Sequence, residues 1–114
     1  MVKRTGPTNE HLKELIRILG KDKKLLWKRV AKDLAKPTRS RRVVNLKRIN
    51  RVTKAGETII VPGKVLGIGD LHHKLTIAAW QFSESAVKKL KTAGASIMSI
   101  KELYDKKKTG RIIG

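Results

Sequence analysis

Glu57-Thr58-Ile59-Ile60-Val61-Pro62-Gly63-Lys64-Val65-Leu66-Gly67-Ile68-Gly69 is the stretch on which the fold depends. Thr58–Val61 is β-branched throughout, which suits the pleated surface of a strand. Pro62-Gly63 is spelled like a turn, and Lys64–Gly69 reads as a second strand, paired with the first or crossing it. Glycines at 63, 67 and 69 argue for a bent, irregular sheet over a long flat one. Further on, Leu75-Thr76-Ile77-Ala78-Ala79-Trp80 is apolar on both faces and predicts the most buried strand.

Toward the N-terminus, Leu34–Gly56 carries Lys36, Arg39, Arg41, Arg42, Lys47, Arg48, Arg51 and Lys54 and no acid. Val43-Val44-Asn45 reads as a short strand leading into a helical turn or two over Leu46–Val52, with Asn45 as its cap. At about 100° per residue, Lys47, Arg48 and Arg51 fall on one side of that helix and Leu46, Ile49 and Val52 on the other. One side packs and the other presents cations. Pro37 and Thr38–Arg42 form a basic loop just before it.

Two helices precede this region. Leu12, Leu15, Ile16 and Leu19 form one apolar stripe, begun after Pro7 with Thr8 as cap and stopped at Gly20. Trp27, Val30, Ala31 and Leu34 form another, ended by Pro37. A short link makes them antiparallel neighbours. Beyond the strands, Ser83 caps a helix with the stripe Ala86, Val87, Leu90 and Ala93, stopped by Gly94. Ala95–Met98 reads as a short strand. Ser99-x-x-Glu102 spells a capping box for a last helix. The fold class is therefore mixed α/β, with two N-terminal helices followed by short strands and helices. Residues 1–114 make a single domain, with a basic arm at 1–7 and a basic tail at 106–114.

Charge points to the partner. The chain has 28 Lys plus Arg against 9 Asp plus Glu, a formal net charge of +19 in 114 residues. That excess repels itself in the compact state and makes sense against a dense array of phosphates. There is no cysteine, so disulfides, thiol nucleophiles and Cys-ligated zinc are excluded. No apolar run approaches the roughly 20 residues of a membrane span, and the N-terminus lacks the apolar segment of a secretory signal.

Enzymatic readings find little. Gly63-Lys64 with Gly67 and Gly69 has the wrong order for a phosphate loop, because Val65 follows the lysine where a hydroxyl and a helix are required. Asp70, His72 and His73 are the one cluster with metal or acid–base character, and no fourth ligand is evident; polar contact to RNA beside Lys74 suits them better. The acids are scattered, with no gathering for Mg²⁺. Trp27 and Trp80 sit in apolar stripes, which makes them core in preference to base-stacking platforms. The expectation is no cofactor and no metal. A DNA architectural protein and an RNA-modifying enzyme or nuclease are the alternatives from other classes.

The order of residues also resembles a known family. Asn45-Leu46-x-Arg48-Ile49-x-Arg51, then Glu57–Gly69, then His73-Lys74-x-Thr76-Ile77-Ala78-Ala79-Trp80-x-Phe82-Ser83 are similar to the ribosomal protein eighteen-e family of the archaeal and eukaryotic large subunit, itself related in fold to bacterial ribosomal protein fifteen. Lys3–Asn9, Trp27–Arg42 and Arg111-Ile112-Ile113 extend the likeness. In length the chain is most like the archaeal members; the link Gly20–Leu25 and the Lys106–Gly110 region are short for the family. The resemblance implies an irregular ββα layered arrangement and a non-enzymatic structural role in the cytoplasm, within the large ribosomal subunit. It implies large-subunit rRNA and neighbouring ribosomal proteins as partners, with no membrane, small-molecule substrate or homo-oligomer. Arg48, Arg51, Lys64 and Lys74 fall on family positions. Charge adds Lys3, Arg4, Lys36, Arg39, Arg41, Arg42, Lys47, His72, His73 and Arg111 as expected RNA-binding residues.

Overall fold

A computed structural model describes residues 10–36 and 41–113. The expected Thr8 cap, the Pro37 stop, and Lys3, Arg4 and Arg39 lie outside those residues. The chain divides into two compact units, Met1–Arg41 and Arg42–Gly114.

The first unit holds α1 (Glu10–Gly20) and α2 (Leu25–Leu34), which pack on each other. The stripes behave as their spacing demands: Leu12, Leu15 and Leu19 are buried on α1, and Trp27, Val30, Ala31 and Leu34 on α2. In the link, the Lys24 backbone N–H donates to Asp22 Oδ1 at 2.8 Å, an Asx-type turn that starts α2 without a side-chain cap on Lys24.

The second unit is a parallel five-stranded sheet. Its elements are β1 (Arg42–Asn45), α3 (Leu46–Val52), β2 (Thr58–Leu66), β3 (Thr76–Phe82), α4 (Glu84–Thr92), β4 (Ser96–Ser99), α5 (Ile100–Asp105) and β5 (Arg111–Ile112). The strand order is β1-β2-β3-β4, and β5 also pairs with β2. Val44, Val65, Ile59, Val61, Ile77 and Ala79 form one core cluster with Leu46 and Ile49 of α3 and Ala86 and Leu90 of α4. Ile60 and Ala78 alternate to the opposite face and are buried there. α5 packs against β3 and buries Ile100 and Leu103.

Pro62-Gly63 does not turn the chain. β2 runs straight through both residues. Val61 pairs with Ala79 and Lys64 with Gln81, so Pro62 and Gly63 together face Trp80 in a β-bulge. On the side of β2 away from β3, Ile59 and Ile60 pair with β5, and Gly63 through Leu66 pair with β1. Pro62 sits at that handover, where its missing N–H costs no ladder bond. Gly63 is needed beside it, because a Cβ there would stand 1.9 Å from the Arg42 carbonyl oxygen.

Three further expectations change. β2, paired along both edges, is more enclosed than β3, and Trp80 is half-buried. Asn45 holds the N-cap position of α3 but makes no side-chain cap bond. Within the basic tail, Arg111-Ile112 joins the sheet and Ile113 enters the core cluster. The caps expected at α4 and α5 form: Ser83 Oγ accepts from the Ala86 N–H, and Ser99 with Glu102 closes a full capping box.

Candidate nucleic-acid interface

α3 is seven residues long, too short to be stable by itself. Packing and anchoring hold it. Leu46 and Ile49 are fully buried, each contributing about 1.5–3 kcal/mol through removal of apolar area from water. The β2–β3 connection, residues 67–75, then runs along one flank of the helix. The Lys47 N–H donates to the Ile68 carbonyl at 3.0 Å. Asn50 Oδ1 accepts from the His72 N–H at 2.9 Å. Thr53 Oγ1 lies 2.8 Å from His73 Nε2. Positions 47, 50 and 53 are three apart and share a face, so the loop is stitched to the helix at successive turns. Gly69 permits the approach: its φ is +87°, and a Cβ would stand 2.7 Å from the Lys47 nitrogen.

The hydroxyl of Thr53 also fixes a proton. It donates to the Ile49 carbonyl at 2.6 Å, and a hydroxyl has one hydrogen to give. His73 Nε2 therefore carries a hydrogen and donates to Thr53.

This stitching brings several expected site residues together. Lys47, Arg48 and Arg51 are exposed along α3, as the helical wheel requires, and His72 and Lys74 are exposed on the adjoining loop. The aliphatic stem of Lys74 lies over Gly94, whose added Cβ would meet Lys74 Cε at 3.0 Å. Asp70 is not gathered with the histidines: its carboxylate lies 3.6 Å from Lys89 Nζ, which also donates to the Gly69 carbonyl.

Other expected residues stand apart. Lys64 is exposed on β2, in register between Val43 and Gln81, on the opposite face from the buried Val44 and Val65. Arg42 is half-buried on β1 opposite Gly63. Lys36 pairs with the buried Asp33 at 3.3 Å. Arg41 Nε donates to the Leu34 and Lys36 carbonyls, both at 3.1 Å, and closes the carboxyl end of α2. Burial lowers its pKa from the ordinary arginine value. Arg111 is clasped internally, with an ion pair to Glu57 at 2.7 Å and a hydrogen bond to the Val52 carbonyl.

Sequence reasoning did not single out Asn50 and Thr53 as the residues that hold the loop. Their spacing of three on the flank of a cationic helix was the available signal. For Arg41 the signal was an arginine a few residues past a helix end, where carbonyls await donors.

Comparison with known proteins gives a consistent result. The family that groups ribosomal proteins 50S-L15 and 50S-L18e with their 60S counterpart matches residues 11–98. The large ribosomal subunit protein eL18 of Sulfurisphaera tokodaii is 49% identical over 100 residues, covering 88% of this chain and 85% of that one. That of Sulfolobus acidocaldarius is 45% identical over 113 residues, covering 95% and 96%. The Methanothermobacter thermautotrophicus protein is 39% identical over 109 residues, covering 92% and 90%.

Proposed function

Because the chain belongs to the eL18 family of large-subunit ribosomal proteins, we propose that it binds and clamps large-subunit rRNA through lysine and arginine contacts to phosphate. The chain is a structural component of the large ribosomal subunit, in the cytoplasm, and not an enzyme. Its partners are rRNA and neighbouring ribosomal proteins.

The observation that supports the clamp is α3. The helix contains no acid, is held from within by Leu46 and Ile49, and is held at its flank by the 67–75 loop. It offers Lys47, Arg48 and Arg51 beside His72 and Lys74. A cationic surface of fixed shape neutralises phosphates without losing side-chain and backbone freedom at each contact. Lys64 and Arg42 present a second aspect of the sheet, and Lys3, Arg4 and Arg39 add charge from the N-terminal arm and the basic loop. Phosphate contacts position a protein without reading sequence, which fits a component recognised by RNA shape.

The test is a salt titration. The full chain is bound to a large-subunit rRNA fragment on filters, with duplex DNA as competitor. The expected plot of log K against log salt falls by about 0.7–0.9 for each phosphate contacted, and rRNA outcompetes DNA. The protein should also sediment with large subunits and leave in high salt. A flat titration would overturn the clamp.

A further inference from the structure

A parallel sheet collects its strand beginnings at one edge. Thr58, Thr76, Ser96 and Arg111 open β2, β3, β4 and β5, and the helices that lead into them deliver their carboxyl ends beside that edge. Two of those ends are built alike. After α4, the Gly94 N–H donates to the Lys91 carbonyl at 3.0 Å and the Ala95 N–H to the Leu90 carbonyl at 2.9 Å. After α5, the Lys107 N–H donates to the Tyr104 carbonyl at 3.0 Å and the Lys108 N–H to the Leu103 carbonyl at 3.3 Å. These are the paired bonds of a Schellman turn, whose C′ residue must be left-handed. At α4 that residue is Gly94, with φ +79°; at α5 it is Lys107, with φ +56°, the one non-glycine residue of positive φ among the described residues.

A side chain is disfavoured at that backbone position. Lys107 is exposed, so burial gives no return for the strain. A costly conformation kept at an exposed site points to a use outside the chain. Its surroundings say which. Lys106 and Lys108 flank it, and Lys54, Lys74 and Lys91 are exposed along the same edge. Of the acids there, Glu57 is already clasped by Arg111, and Asp105 is exposed beside the turn. These cations offset the partial negative charge of the helix ends and leave a surplus. Lysine is depleted at protein–protein interfaces and supplies the sequence-independent charge of nucleic-acid binding.

We propose that this amino edge is a phosphate-binding surface of its own, which takes an RNA backbone, with Lys107 as a direct contact. The proposal rests on the rRNA-binding reading above.

The Lys107→Gly variant separates it from a merely structural role. Glycine relieves the turn, so the full-length variant should melt at a higher temperature than the parent. Its binding to the large-subunit rRNA fragment should nevertheless weaken, with the salt slope reduced by about 0.7–0.9. Replacing Lys106 and Lys108 by Gln as well should bring the loss to about two units or more. A Lys107→Gly protein that is more stable and keeps the parent's slope would overturn the proposal, and so would one that melts lower. A parent chain without salt-dependent binding would instead sink the clamp reading itself. Binding lost with changes on α3 but kept with Lys107→Gly would sink this inference alone.

Discussion

The Arg111 guanidinium meets the Glu57 carboxylate at 2.7 Å, joining the last strand of the sheet to the residue that leads into β2. The same nitrogen donates to the Val52 carbonyl at the end of α3. β5 has two residues and cannot hold its place by backbone pairing alone. Arg111 locks it, and the Ile113 N–H then reaches the Ile60 carbonyl at 2.9 Å. Arg111→Ala should lower unfolding free energy by about 1–2 kcal/mol, as expected for a charge-assisted pair that is only partly screened. Hydrogen exchange should show the Ile113 amide losing protection before the amides of β2 and β3.

Gly63→Ala should be among the most damaging single changes in the chain. A methyl there overlaps the Arg42 backbone, and backbone cannot step aside as a flexible side chain can. The expected cost is roughly 3 kcal/mol or more, the range reached when a buried position is overpacked. Urea denaturation measures it. The Ala variant of Gly56, where nothing lies within 4 Å of an added Cβ but φ is +81°, should cost only about 1 kcal/mol from its left-handed backbone.

Much of this architecture is legible in the sequence wherever cause and effect lie close together. The α3 wheel sorts Leu46 and Ile49 from Lys47, Arg48 and Arg51 because one helix turn decides both. Ser83 and Ser99 with Glu102 announce their helices because a cap is a matter of three residues. Pro62-Gly63 misleads because its local spelling is overruled by two partners, β1 and β5, that lie far away on either side in the chain. The internal roles of Arg41 and Arg111 are hidden for a related reason: composition counts a cation without saying which carbonyl or carboxylate it meets. β5 is too short to carry a period of any kind. The polar, basic character of the loop along α3 is plain from its residues, but its attachment through Asn50 and Thr53 depends on the register of a helix against a loop.

His73 should matter for stability and not for metal. Its Nε2–H donates to Thr53 Oγ1, which in turn donates to the Ile49 carbonyl. Thr53 is buried, so losing His73 leaves its hydroxyl without a donor. His73→Ala should cost about 1–2 kcal/mol, and Thr53→Val a similar amount, because His73 then loses its acceptor. The double variant should cost less than the sum, as neighbours in one network do. Added Zn²⁺ should leave the melting temperature of the parent unchanged.

Cations close in sequence should behave in opposite ways, and the contrast tests the whole division between structural and binding charges. Arg41 closes α2 through the carbonyls of Leu34 and Lys36. Arg41→Ala leaves those carbonyls without their donor and should cost about 1 kcal/mol of stability, with less effect on the salt slope than an outward cation would have. Lys47 and Arg51 face solvent from a helix whose position is set by Leu46 and Ile49. Changing both to Ala removes no buried contact, and alanine favours helix, so the melting temperature should hold or rise slightly. The slope of log K against log salt for rRNA should then flatten by about 1.4–1.8 units, one phosphate contact for each cation. Thermal melts and filter-binding titrations on the two variants decide the matter. Were Arg41→Ala to flatten the slope while Lys47→Ala with Arg51→Ala left it intact, the RNA would have to lie against the α2 end and not along α3.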